Sequence, residues 1–398
     1  MNVLQFCIRI PYPPNDGGSM AMYNLSESLL SNGALVDVFA LNTLKHFIEP
    51  KAIDVHYSER YNLSTCVIDT NLKWYKAFVN LFTSDSYNII RFYSDDAAEK
   101  LKTLLLNKQY DIVQLESVFV SQYIPLIRKY SKAKIVLRAH NVEHIIWQRL
   151  TQKESNPIKQ VYLGLLARRL MAYENEIIHD HDAVLPITIE DQGSFKEMNF
   201  SKPIHVVPLG VNREQYQIIV PNDSSSIYHL GSMDWLPNLE AIQWYLNKIH
   251  PLLVQKEPNC KVHLAGKGMP DHLFKFANEQ LKVEGKIDNP MEYASDKGIM
   301  IVPLLSGGGM RVKIIEAMAM GKAIVSTSIG AEGIDCRHGE DIMLADRPEE
   351  FVTAIQLLLR DAALRKRIGE NARRLAFSKY ENRTIGKSLL SFYESLMV

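Results

Sequence analysis

Short apolar runs of strand length alternate along this chain with stretches whose apolar positions recur at helical spacing. The short runs are apolar at nearly every position, which predicts strands buried on both faces, as in a parallel sheet covered by helices. In the first half the pattern predicts strands over 3–10, 35–41, 65–68, 111–115, 134–139 and 183–187, with helices over 19–31, 97–106 and 159–179. After Pro186 it restarts, with strands over 204–207, 226–230, 261–265, 282–284, 298–302 and 323–326. The expected fold class is therefore α/β, as two doubly wound domains with a hinge over 187–189. The segment PNDSSS, residues 221–226, is a second candidate connection, because its composition suits a flexible surface link. Domains of this kind bind ligands at the carboxyl ends of their strands, and two in one chain would leave a cleft between those ends.

The length of 398 residues agrees with two domains, since it exceeds what one hydrophobic core usually organises. Lysine plus arginine and aspartate plus glutamate both number 45, so no bulk charge draws the chain to nucleic acid. Cys7, Cys66, Cys260 and Cys336 lie far apart without paired spacing, which argues against a zinc site or a disulfide framework and for a reducing cytoplasm. The opening MNVLQFCIRIPYPPNDGG runs quickly into proline and glycine and is expected to be neither a signal peptide nor a spanning segment.

Chemistry concentrates in SGGGMRVKIIEAMAMG, residues 306–321, between the strand over 298–302 and a following helix. Gly307, Gly308 and Gly309 let backbone amides, with that of Met310, approach a ligand, and a helix start favours an anion. Arg311 and Lys313 add fixed positive charge, a planar fork and a point charge, and Glu316 is placed to accept from sugar hydroxyls. A glycine-rich turn with solvent-facing basic residues is the plain alternative, but three glycines, a basic pair and an acid exceed what a turn requires. A second pair, Gly17 and Gly18, follows the first strand, with Ser19 as expected N-cap. His140, in RAHNVEH, stands at the carboxyl end of a strand and can hydrogen-bond a sugar hydroxyl or phosphate, while Glu143 and His144 read equally as helix surface. Gly231 and Ser232 end the strand over 226–230, and Trp235 and Trp244 read as packing residues rather than stacking platforms.

In this order the segments resemble family 4 of the retaining GT-B glycosyltransferases, and the resemblance covers nearly the whole chain. DGGSMAMYNLSESLLSNGALVDVFAL looks like that family's acceptor-side glycine loop, HVVPLGVN like its post-hinge strand, and IIEAMAMGKAIVSTSIGAEGI like its donor-binding signature. The resemblance implies two Rossmann-like domains facing across a cleft: 1–188 on the acceptor side, 189–378 for a nucleotide-diphosphate-sugar donor, and 379–398 as a helix returning to the first. It implies no metal and no cofactor beyond the donor substrate, Glu316 on the donor ribose, Gly285 and Ile287 in the loop that reads the base, and His140 beside the transferred sugar. Five positions depart from the family. Gly308 stands where a glutamate is usual, Met310 and Arg311 replace Phe-Gly, and Ser232 and Met233 replace an Arg-Lys pair, so Arg311 and Lys313 are expected to supply that charge on the diphosphate.

The acceptor is expected to be a glycan or a lipid-linked molecule, in bacterial surface polysaccharide or glycoconjugate synthesis. LKWYKAFVNLFTSDSYNIIRFYS, residues 72–94, mixes aromatic and basic residues and is a candidate for peripheral contact with the inner membrane face, against packing on the first domain. Rival readings are a nucleotide-sugar epimerase or a phosphorylase of similar architecture, or a non-catalytic nucleotide-sugar-binding partner of another enzyme.

Overall fold

A computed structural model describes residues 1–14, 17–71, 80, 86–216, 223–307 and 309–398. The first six strands are β1 (Asn2–Cys7), β2 (Leu35–Thr43), β3 (Ser64–Ile68), β4 (Ile112–Leu115), β5 (Lys134–Ala139) and β6 (Ala183–Pro186). The next six are β7 (Asp223–Leu230), β8 (Lys261–Ala265), β9 (Leu281–Glu284), β10 (Lys297–Val302), β11 (Ala323–Ser326) and β12 (Met343–Leu344). Among the described residues they form two six-stranded sheets, ordered β3-β2-β1-β4-β5-β6 and β12-β11-β10-β7-β8-β9. Every pairing between these strands is parallel. Counted from its own first strand each sheet has the order 3-2-1-4-5-6, the doubly wound arrangement whose direction of winding reverses beside the first strand.

The apolar runs become strands because both their faces are covered. Along β1, Val3 and Cys7 join one buried cluster with Val36, Val38 and Val136, while Leu4 and Phe6 join another with Phe39, Leu115 and Leu137. One strand thus feeds two cores, as the pleat requires. The second sheet is buried in the same way, with β10 and β11 buried at every position.

The chain divides into two compact units, residues 1–209 with 382–398, and residues 210–381. The division therefore falls after Leu209, not at 188/189, and the segment 204–207 is not the first strand of the second unit. Ile204 bridges to Val184, His205 N–H donates to Val184 O at 3.0 Å and Val207 N–H to Pro186 O at 2.8 Å, so the segment extends the open edge of the first sheet beside β6. The helix Asn382–Leu396 belongs to the first unit, where Ile385, Leu389 and Tyr393, four residues apart, share a core with Leu25 and Leu29 of the helix Gly17–Ser31. A Cβ on Gly386 would lie 2.1 Å from Ser28 O, so the two helices approach more closely than any side chain there permits.

Candidate functional site

In the second unit β10 ends at Val302, and the chain turns through residues 303–311 into the helix Val312–Ala319. Gly307 sits at φ +111°, and a Cβ there would meet the Trp235 ring at 2.9 Å and Arg311 Nη2 at 3.0 Å, so this position is closed to any side chain. Gly308 lies outside the described residues. Met310 is buried. Arg311, 6% exposed, lays its guanidinium 5.2 Å from the Trp235 ring centroid and donates from Nη1 to Gly309 O at 2.5 Å. It braces the glycine turn as well as charging it. Trp235, read from the sequence as packing, is 38% exposed and forms the platform for this cation. Trp244 does pack, edge-on against Phe351.

One turn into the helix, half-buried Lys313 donates to Asn238 Oδ1 at 3.0 Å, and Asn238 Nδ2 donates to Ser232 O at 2.8 Å. Burial first, and the neighbouring Arg311 charge second, bring the Lys313 ammonium down to about 7. The Lys313 charge in turn helps hold fully buried His229 neutral: desolvation is the larger cause, and a bond from Nδ1 to Ile301 O, 3.0 Å long, opposes it. Two cations crowded at one helix start destabilise each other, and an anion placed there would relieve both. Glu316 accepts from Tyr216 Oη at 3.1 Å, and burial raises its carboxyl above the ordinary range. Gly231 N–H donates to Ala265 O at 3.1 Å and Gly266 N–H to Gly285 O at 3.0 Å, which stitches together the loops after β7, β8 and β9. Ile287 follows in that last loop, half-buried. Ser306 Oγ donates to Glu240 at 2.6 Å. Gly231, Ser232, Gly285, Ile287, Gly307, Gly309, Met310, Arg311 and Lys313 thus all lie in loops or a helix start at the carboxyl edge of one parallel sheet.

The first unit carries the remaining sequence-predicted positions. Gly17 and Gly18 form the first turn of the helix Gly17–Ser31, so Ser19 is not the N-cap but lies buried inside that turn. His140 follows β5, and its Nε2 lies 2.7 Å from Oε2 of Glu116, a fully buried carboxylate just beyond β4. His144 is not helix surface: it is buried, and Glu174 accepts from its Nδ1 at 2.8 Å, from its N–H at 2.7 Å and from Glu143 N–H at 3.0 Å. Glu174 thereby caps the helix Glu143–Lys153 from outside that helix. Desolvation first, then Glu174, pushes the Glu143 carboxyl up to about 8 against a hydrogen bond from Asn141. Most of the segment 72–94 read as a membrane candidate lies outside the described residues. Among the described residues no helix is long and apolar enough to cross a membrane.

Asn238, Tyr216 and Glu116 were not singled out from the sequence. Asn238 and Tyr216 carry no local signal, being bonded to residues 75 and 100 positions away. Glu116 had one, a polar pair with Gln114 inside an apolar run at the two-residue period of a strand.

Two parallel, doubly wound sheets in one chain are the arrangement of the GT-B fold. Residues 224–361 match the family model described as Glycosyl transferases group 1, so the chain carries a domain of that group. Along its length the chain is 25% identical to an uncharacterized 44.6 kDa protein in a cps region of Klebsiella pneumoniae, over 95% of this chain and 96% of the relative. Among solved structures it resembles sucrose-phosphate synthase from Thermosynechococcus elongatus, with TM-score 0.73, 16% identity and coverage of 100% of this chain and 99% of that one. It also resembles HepE of Anabaena in complex with UDP, with TM-score 0.68, 14% identity and coverage of 99% and 100%.

Proposed function

We propose that this chain is a retaining, metal-independent glycosyltransferase that moves a hexose-type sugar from a nucleotide-diphosphate donor to a glycan or lipid-linked acceptor. Its place would be the synthesis of a bacterial surface polysaccharide or glycoconjugate, on the cytoplasmic side and in contact with the inner membrane face where the acceptor is lipid-linked. No cofactor is needed beyond the donor. The observation that carries the reading is the crowding of Arg311 and Lys313 at a glycine-lined helix start, inside the segment matched to Glycosyl transferases group 1. The cps-region name of the Klebsiella relative supports the polysaccharide setting, and UDP bound to HepE supports a nucleoside diphosphate.

In this reading the diphosphate lies on the amides of Gly307, Gly308, Gly309 and Met310, with Arg311 and Lys313 neutralising the charge that develops as it leaves. Glu316 accepts from the ribose, Gly231, Ser232, Gly285 and Ile287 line the nucleotide, Gly17 and Gly18 serve the acceptor side, and His140 contacts the transferred sugar. The anomeric carbon to phosphate-oxygen bond breaks, the bond to the acceptor oxygen forms on the same face, and the acceptor proton passes to the leaving phosphate.

A thermal-shift panel of nucleotide sugars tests this, because a ligand that binds only the folded chain raises Tm. One donor class should raise it. Arg311→Ala should lose about tenfold or more of that affinity, the worth of a charged hydrogen bond, with the far-UV spectrum unchanged. No shift with any donor sinks the proposal.

A further inference from the structure

Glu116 is buried completely, and a carboxylate taken out of water is strongly destabilising unless donors replace the solvent. Three donors do. Gln5 Nε2 reaches Glu116 Oε1 at 2.6 Å, Gln114 Nε2 donates to the same oxygen, and His140 Nε2 reaches Oε2 at 2.7 Å. Neither glutamine is free to turn its amide round. Gln5 Nε2 also donates to Met22 O at 3.2 Å, and Gln114 Oε1 accepts from the hydroxyl of Tyr393 on the C-terminal helix. Arg138, buried two residues before His140, supplies a positive charge nearby, and burial brings its guanidinium down to about 10 with Glu116 opposing. Next to Glu116 the backbone of Ser117 takes φ 154° and ψ 155°, a region that side-chain-bearing residues rarely occupy.

A carboxylate is an acceptor only, so the ring nitrogen facing it must carry the hydrogen. Among the named partners, His140 alone is not fully buried, with 16% of its side chain exposed, and its Nδ1 has no hydrogen-bond partner among the described residues. We propose that Glu116 is a positioning residue for His140: it holds the neutral imidazole as the Nε2–H tautomer, so that Nδ1 presents its lone pair to a substrate hydroxyl. The identity of that hydroxyl, one on a sugar, rests on the sugar-transfer reading; the tautomer does not. Both glutamines serve Oε1, so among the described residues His140 is the donor to Oε2, and that oxygen fixes which ring nitrogen carries the hydrogen.

The test is nitrogen-15 NMR of histidine-labelled full-length chain at pH 8, with His140→Asn identifying the His140 signals by their loss. A pyrrole-type shift at Nε2 and a pyridine-type shift at Nδ1 are expected. A wild-type ring protonated at Nδ1, or an even mixture, overturns the proposal. Glu116→Gln sets an amide against three donors and should raise the Nδ1–H fraction several-fold. Glu116→Asp keeps the charge opposite Arg138 should the first variant not fold, but withdraws the acceptor by one methylene, and should do the same. An unchanged tautomer in a folded variant also overturns it. In turnover assays both variants should lose about tenfold to a hundredfold in kcat with donor KM nearly unchanged. Should the wild-type chain turn over no donor at all, the sugar-transfer reading fails while the tautomer measurement still decides the role of Glu116.

Discussion

Asn238 joins Lys313 to Ser232: its Oδ1 accepts from the ammonium at 3.0 Å while its Nδ2 donates to the Ser232 carbonyl at 2.8 Å. One buried amide thus ties the helix start after β10 to the turn after β7. Asn238→Ala leaves the ammonium and a carbonyl without that partner and should cost about 1–3 kcal/mol in urea unfolding. Donor affinity by calorimetry should fall with it. A stable variant with wild-type affinity would show that the link is incidental.

Lys313 supplies a proton-linkage prediction. Its folded value of about 7 lies below the ordinary 10.5, so between those values the unfolded chain holds a proton that the folded chain has released. Lys313 therefore makes the free chain more stable as pH rises from about 7 toward 10. A bound diphosphate favours the charged form and should draw a proton back. Calorimetric titration with the donor at pH 8, repeated in buffers of different ionisation enthalpy, should show net proton uptake that disappears in Lys313→Met.

Glu143 predicts the opposite slope. Its carboxyl stands at about 8 against an ordinary 4.5, so through that window the folded chain retains a proton that the unfolded chain has lost, and stability falls as pH rises. Glu143→Gln should remove this contribution, leaving the variant more stable than wild type at pH 8 by on the order of 1 kcal/mol and little different at pH 5. Parallel urea midpoints across the range for both proteins would contradict the raised value.

Gly386 tests the docking of the C-terminal helix. A methyl at this position would fall 2.1 Å from Ser28 O, a backbone atom that cannot swing aside. Gly386→Ala should cost about 1–3 kcal/mol as an overpacked contact, despite alanine's better helix propensity. Hydrogen exchange should speed up along Asn382–Leu396 and spare the second unit. A neutral or stabilising effect would mean that the helices sit further apart.

Strands β1 to β11 were legible in the sequence because a strand covered on both faces is apolar throughout, whereas β12, only two residues long, was too short to show a pattern. The glycine turn was legible for a local reason too: three glycines and a basic pair between a strand and a helix are a contiguous signal. The destination of residues 204–207 was not legible. An apolar run declares itself a strand without saying which sheet edge it will join, and hydrogen bonds to Val184 and Pro186 settled that. His144 failed similarly, since a histidine in a helix reads as surface until a carboxylate from another helix is found beside it.

The sequence by itself determined two parallel α/β sheets and the turn at which charge and glycine meet, because periodicity and turn chemistry act over a few residues. Only the tertiary structure decided that Arg311 braces its own loop on Trp235, that Asn238 holds Lys313 and that Glu116 faces His140. Gln5 reaches Glu116 across 111 positions, and Tyr393 reaches Gln114 across 279. Contacts over such separations exist only when packing has brought distant strands and helices together, and no local pattern encodes them.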